Sequence, residues 1–290
     1  MSAPTDSSRG WLMWMPAVFV LIWSTGFIVA RYAMPHSPPM KFLMARYVLS
    51  VLAFLIWIRW ARVPWPSSPA QWRHLALTGV LMHGGYLAGV WLAVRHGMGS
   101  GLTALIVGFQ PVLTALWISS QGGSVTRRQW AGLWLGFGGL VLVVLRKLVE
   151  SFEVTPFTLA MALLALLSIT TGTLYQKKHV QPCDVRSANA VQLMAAGLIT
   201  LPFALVEADP VLWHPDLWGA MAWSVLGLTL GGSSLLYMLI QRGAAASVTS
   251  LMYLVPPTTA LMAWALFAEP LTPLTLLGIA LTAAGVSLVV

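Results

Sequence analysis

Two stretches decide the fold: GMGSGLTALIVGFQPVLTALWISSQGGSVTRRQWAGLWLGFGGLVLVV (Gly97–Val144) and GAAASVTSLMYLVPPTTALMAWALFAEPLTPLTLLGIALTAAGVSLVV (Gly243–Val290). A constant shift of 146 residues lays one on the other without a gap, giving eleven identities in 48 pairs. Pro111 meets Pro257, Thr103 meets Thr249, Thr126 meets Thr272, Gly132 meets Gly278 and Gly139 meets Gly285. Both stretches end in Leu-Val-Val. The same shift places Gly26 on Gly172, Gly85 on Gly231 and Arg31 on Lys177. Biased composition aligns apolar residues readily, but matched Pro and Gly under one shift point to a duplicated unit.

Composition says what surrounds that unit. The chain has 290 residues, 58% of them hydrophobic and 8% charged, with a mean hydropathy of +0.79. A soluble domain carries roughly 25% charged residues; here the solvent that tolerates the surface is lipid. Fifteen tryptophans agree, since indole rings favour the headgroup region. The net charge of +8 is scattered between apolar runs and forms no basic patch, so it reads as a topology signal and not as a nucleic-acid site. The single cysteine, Cys183, excludes an internal disulfide and a cysteine-rich metal site. Met1–Gly10 reads as a short polar tail, and the apolar run after it as a first helix, not a cleaved signal.

A spanning helix needs about 20 mainly apolar residues. Ten such runs are expected: 11–33, 39–60, 72–94, 98–119, 127–146, 156–177, 187–206, 216–240, 244–267 and 273–290. With the N-terminus inside, inner segments hold ten Lys and Arg and outer segments five, which predicts both termini in the cytoplasm. Arg146-Lys147 sits on the disfavoured side of that topology. The predicted fold class is all-α: a polytopic membrane protein of ten transmembrane helices built as two inverted five-helix repeats. A tail (1–10) precedes the repeats 11–146 and 147–290. Five crossings per unit force the second unit to enter from the opposite side, giving a pseudo-two-fold axis in the membrane plane. Two near-equivalent packings are what alternating access requires; a plain duplication without transport is the blander reading.

Further residues carry a family resemblance. Ile22-Trp23-Ser24-Thr25-Gly26-Phe27, Pro38-Pro39 leading to Arg46, Ala104-Leu105-Ile106 with Gln110-Pro111, and Ala268-Glu269-Pro270-Leu271-Thr272 with Gly278 and Gly285 resemble the drug/metabolite transporter superfamily, in particular its EamA-type ten-helix exporters. The first half departs from the pattern, with Gly123 where the second has Glu269. The resemblance implies a bacterial-type inner-membrane carrier. Its central cavity would be lined mainly by helices one, three, four, six, eight and nine. Amino acids or related compounds are the first substrate class it suggests.

Candidate site residues follow from polar groups at depth. His83, in Met82-His83-Gly84-Gly85-Tyr86, is costly in lipid unless it faces a cavity or a partner. It could bind substrate, pass a proton, or hold the bundle together; Tyr86 shares its face. Arg46 and its shift mate Gln192 could form reciprocal gates or attract an anion, or Arg46 could snorkel to headgroups. Trp23, Ser24 and Thr25, with Thr170 and Thr171 matched across the repeat, either face the cavity or bond their own helix. Pro111, Pro256 and Pro257 should kink helices four and nine as hinges, with Gln110 and Tyr253 nearby. Gly132 and Gly136 in helix five, with Ala280 and Ala284 in helix ten, could pack within one chain or join a homodimer.

No Asp or Glu falls at the centre of a span, and no phosphate loop is present, so neither a buried carboxylate nor ATP drives the carrier. No cofactor, metal site or catalytic residue is expected; the partners are a small-molecule substrate and the bilayer. Two alternatives stay open: a carrier of a lipid- or nucleotide-linked substrate, and an intramembrane transferase, for which the six dispersed histidines offer no clustered acid, base or metal.

Overall fold

The computed structural model describes residues 6–122, 126–150, 154–241 and 254–289, and all regular structure among them is helical. We name the rods α1 (Asp6–Ala33), α2 (Pro39–Ala61), α3 (Pro69–Arg95), α4 (Ser100–Ser120), α5 (Arg127–Glu150), α6 (Pro156–His179), α7 (Val185–Val206), α8 (215–241), α9 (Val255–Phe267) and α10 (Pro273–Val289). Six of them, α2, α3, α4, α6, α7 and α8, are long and apolar enough to cross a membrane. Residues 244–253 of the expected ninth run lie outside the described residues. Arg146 and Lys147 belong to α5 itself, which runs on to Glu150 instead of ending at 146.

The starts of the rods are written in the sequence. Proline stands in the first turn of α2, α3, α6, α8 and α9. There its missing N–H would have had no partner and its fixed φ already suits a helix. Thr155 and Thr158 close a reciprocal cap on α6. Thr126 accepts from the Gln129 amide and Thr272 from the Thr275 amide, so residues matched by the shift cap α5 and α10 alike. The last turns also correspond: Gly122 (φ 83°) ends α4 and Ala268 (φ 52°) ends α9, both left-handed.

Two rods widen in the middle. A π-helical stretch, Val80–Gly85, interrupts α3, and another, Ser224–Ser233, interrupts α8. Shifted by 146, the first falls wholly within the second. The expected kinks at proline take a different form. α4 is two pieces, Ser100–Val107 and Gln110–Ser120, broken at Gly108-Phe109, with Pro111 second in the new piece. Pro256 is likewise second in α9. A proline that opens a helix leaves no interior hydrogen bond to break.

Packing follows the same correspondence. α2 lies on α7 and α5 on α10. α1 packs on the π stretch of α8 and on α9; α6 packs on the π stretch of α3 and on the second piece of α4. The 146-residue shift exchanges the members of these pairs. Small residues make the approaches possible. A Cβ on Gly79 would run into the backbone of Gln192, and one on Gly285 into the backbone of Gly132 and Gly136. The α5–α10 glycines are therefore spent on contact inside one chain.

The exterior is apolar and the interior carries polar groups. Trp60 is 85% exposed, Val206 78% and Leu198 74%, while Ser24, Thr78 and Ser187 are fully buried. That is the reverse of a water-soluble protein and the arrangement lipid favours.

Candidate functional site

The two π stretches build the site. A π turn holds one residue more than an α turn and leaves backbone groups off the regular ladder. In α3 the His83 carbonyl, which accepts from the Tyr86 amide, also accepts from the Tyr47 hydroxyl of α2 at 2.7 Å. One residue earlier in α2, the Arg46 Nε donates to Thr229 Oγ1 in the π stretch of α8 at 3.1 Å, and Thr229 donates on to the Ser224 carbonyl at 2.8 Å. On the other side, His83 meets the Gln192 side chain of α7. The shift carries Arg46 to Gln192 and His83 to Thr229, so Arg46–Thr229 and Gln192–His83 are the same contact in the two halves.

Between these contacts lies a narrow chamber of about 30 Å³ lined by Trp23, Gly26 and Phe27 of α1, Arg46 of α2, His83 and Tyr86 of α3, and Ser233 of α8, among others. The rings of Trp23 and Tyr86 are parallel, with centroids 6.2 Å apart. A second space of about 10 Å³ shares Trp23, Met82, His83 and Ser233 and adds Gln176, Asn189, Gln192 and Tyr237. Gln192 Nε2 donates to Gln176 Oε1 at 3.3 Å, while the Gln176 Nε2 is buried with no partner. Arg46 is 4% exposed and has no carboxylate partner among the described residues. A guanidinium stays protonated, and an unpaired one at this depth favours an incoming anion. Snorkelling does not describe Arg46.

Of the residues singled out in the sequence, Trp23, Arg46, His83, Tyr86 and Gln192 come together here. The others do not. Ser24 is buried and donates to the Val20 carbonyl at 2.7 Å; its shift mate Thr170 donates to the Leu166 carbonyl at 2.6 Å. Thr25 bonds back to Ile22 and accepts from the Trp223 indole at 2.7 Å. Thr171 bonds its own turn on an exposed face. Gln110 donates to Thr173 at 3.1 Å between α4 and α6. Pro111, Pro256 and Pro257 open helices away from the chamber wall. Tyr253 lies outside the described residues. The helix set differs from the one the resemblance implied: α2 and α7 contribute, and α4 and α9 supply no lining residue among those described.

Gln176, Asn189, Thr229 and Ser233 were missed. Gln176 stands beside Lys177-Lys178, and Asn189 in the first turns of α7. Thr229 had a usable signal, because it is what the shift places on His83.

Residues 10–145 and 156–290 each match the EamA-like transporter family. An uncharacterized transporter of Archaeoglobus fulgidus is 26% identical over 278 residues, 94% of both chains. The uncharacterized inner membrane transporter YedA of Escherichia coli is 24% identical, covering 88% of this chain and 83% of its own. A probable amino-acid metabolite efflux pump of Salmonella typhimurium is 24% identical, covering 92% and 90%. A crystal structure 14% identical to this chain matches 95% of each chain with a TM-score of 0.71, which speaks for the fold alone. Two matched halves, a helical bundle with an apolar exterior and relatives that are themselves transporters converge: the chain is a multi-pass membrane protein that belongs to the EamA-like transporter family of the drug/metabolite transporter superfamily.

Proposed function

We propose that the protein moves a small amphipathic metabolite bearing a carboxylate, an amino acid or a close relative, across a bacterial-type inner membrane by alternating access. The observation that carries this reading is Arg46: a buried guanidinium without an acidic partner among the described residues, in a chamber also walled by Trp23, His83 and Tyr86. The substrate carboxylate pairs with Arg46 and its apolar part lies against the parallel Trp23 and Tyr86 rings. The free amide of Gln176 supplies a further donor.

The machine is two five-helix repeats, 11–146 and 147–290, inserted in opposite senses after the tail 1–10, with both termini in the cytoplasm. Contacts that exchange under the 146-residue shift, above all Arg46–Thr229 with Gln192–His83, support that arrangement. So does the excess of Lys and Arg in the segments assigned inside. No catalytic step is involved; the Salmonella relative's name supports the substrate class.

Counterflow in proteoliposomes tests this. Vesicles preloaded with each amino acid in turn should accumulate labelled substrate for a subset of them, and Arg46→Ala should abolish it. Flux of neutral sugars but of no carboxylate would overturn the substrate class. A second reading has its own observation. An apolar groove of about 330 Å³ runs between α2 and α7, lined by Met44, Tyr47, Val48, Gly197 and Leu198 among others, next to Arg46 in the chain. It would suit the acyl tail of a lipid-linked substrate, and scrambling of a labelled anionic lipid would favour it.

A further inference from the structure

The end of the bundle where α2 begins is tied together by segments distant in sequence. The Leu212 amide donates to the His36 carbonyl at 2.7 Å, the Met40 and Lys41 amides donate to the Glu207 carboxylate at 3.0 and 2.8 Å, and Lys41 Nζ donates to the Asp209 carbonyl at 2.8 Å. Arg95 donates to the Met34 carbonyl and pairs with Asp209 at 3.1 Å. These bonds fix residues 34–38 against 207–216. Where the two meet, three side chains converge: His36 from the first, His214 and Asp216 from the second.

We propose that His36, His214 and Asp216 form a binding site for a transition-type divalent cation, Zn²⁺ being the best match, which staples the α1–α2 connection to the α7–α8 connection. One ligand atom from each of the three lies within 4.8 Å of the other two. His36 Nε2 is 3.9 Å and His214 Nδ1 3.4 Å from Asp216 Oδ2. In a tetrahedral zinc shell with bonds near 2.1 Å, neighbouring ligand atoms sit about 3.4 Å apart. The set therefore needs to contract by under about 1.5 Å. The imidazole rings are stacked with centroids 4.3 Å apart and nearly parallel. Lone pairs of parallel stacked rings cannot aim at one point, so binding turns one ring out of the stack. His214 is half exposed and can turn, giving up the bond its Nδ1 accepts from the Asp216 amide at 3.2 Å.

The chemistry favours a borderline cation over Mg²⁺ or Ca²⁺, because two of three donors are imidazole nitrogens. The nearby cations do not compete: Lys41 and Arg95 are taken up by Asp209, and among the described residues Asp216 pairs only with the two histidines. Exposure leaves room for water as a fourth ligand. The sequence had shown only dispersed histidines, and the tertiary fold brings these two together. The site is separate from the transport chamber, and its existence does not rest on the transport reading.

Zinc titration calorimetry on untagged, detergent-purified full-length protein, with Zn²⁺ as the only added ligand, provides the test. One Zn²⁺ per chain should bind. His36→Ala and Asp216→Asn should each weaken it by more than about tenfold, since even changes outside the ligand shell cost ~10–100-fold. Zn²⁺ should also raise the melting temperature of the unaltered protein, and not of either variant, because binding bridges two segments of the folded state only. Melting without zinc checks that both variants fold. Binding of equal strength in the variants, as from the other histidines, would overturn the proposal; so would no binding, and binding without a thermal shift would remove the staple.

Discussion

His83 and Thr229 occupy the same place in two copies of one unit, yet they answer to different partners. Each sits in a π stretch facing its counterpart helix, His83 against Gln192 of α7 and Thr229 against Arg46 of α2. Backbone geometry was kept through the duplication and side-chain chemistry was not. Only the first half carries a cation at this position, Arg46, where the second has Gln192. A carrier with inverted repeats needs matched packings to open to either side, but one charge suffices to hold one substrate. The helix starts tell the same story. α7 begins with Asp184 as its own cap, accepting from the Arg186 amide at 2.9 Å. The matching position of α2 is Pro38, which has no side-chain acceptor. Glu207, from the far end of α7, caps α2 instead.

The comparison can be broken most forcefully at Arg46. Arg46→Ala should lower transport on the order of 100-fold, the usual cost of losing a buried charge contact. Moving the cation with Arg46→Gln and Gln192→Arg together should restore part of that loss in the same counterflow assay. Equal failure of both would mean the copies are not interchangeable.

Caps come next. Glu207→Ala leaves two first-turn amides of α2 without their partner and should cost about 1–2 kcal/mol, and Asp184→Ala about 1 kcal/mol, read from thermal melting in detergent. The Asp184 cap should also respond to acid. The hydrogen bond from Arg186 holds the Asp184 carboxyl below its ordinary value of 3.8. A depressed folded pKa adds stability that is present above 3.8 and lost as pH falls through the folded value. Asp184→Asn should lower the melting temperature at neutrality, where the ionised carboxylate contributes, and flatten the profile below about pH 4, where the two proteins converge.

Tyr47→Phe removes the hydroxyl that donates to the His83 carbonyl and should cost about 1 kcal/mol. An unchanged melting point would show that the π turn satisfies itself. The smallest effect pairs Ala268 with Gly122 at matched left-handed helix ends. Ala268→Gly should gain, and Gly122→Ala lose, up to about 1 kcal/mol, because only glycine enters that region without a Cβ penalty. No atom lies within 4 Å of a Cβ built on Gly122, so its loss would come from the backbone alone.

Much of this was legible before any coordinates. Proline, glycine and apolar run length located the rods, because lipid leaves a backbone few alternatives. The shift aligned Arg46 with Gln192, and cost in the membrane marked Arg46 and His83. Ser24, Thr25, Thr170 and Thr171 misled for a physical reason: a hydroxyl in a helix can return to the carbonyl one turn back, and sequence does not say whether it does. Gln176 escaped because its neighbours Lys177 and Lys178 made it look like a helix end, although it is buried against α7.

The sequence by itself determined a duplicated, lipid-solvated helical chain and its helix ends, because those depend on local dihedral limits and on the polarity of whole segments. Only tertiary structure decided that α2 and α7 help wall the chamber, that Tyr47 and Thr229 bond to its wall, and that His36 meets His214. Those outcomes depend on which face of each rod turns inward. When a helix is apolar all round, as most of these are, its residue pattern does not encode that rotation, and close contacts such as Gly79 against Gln192 set it.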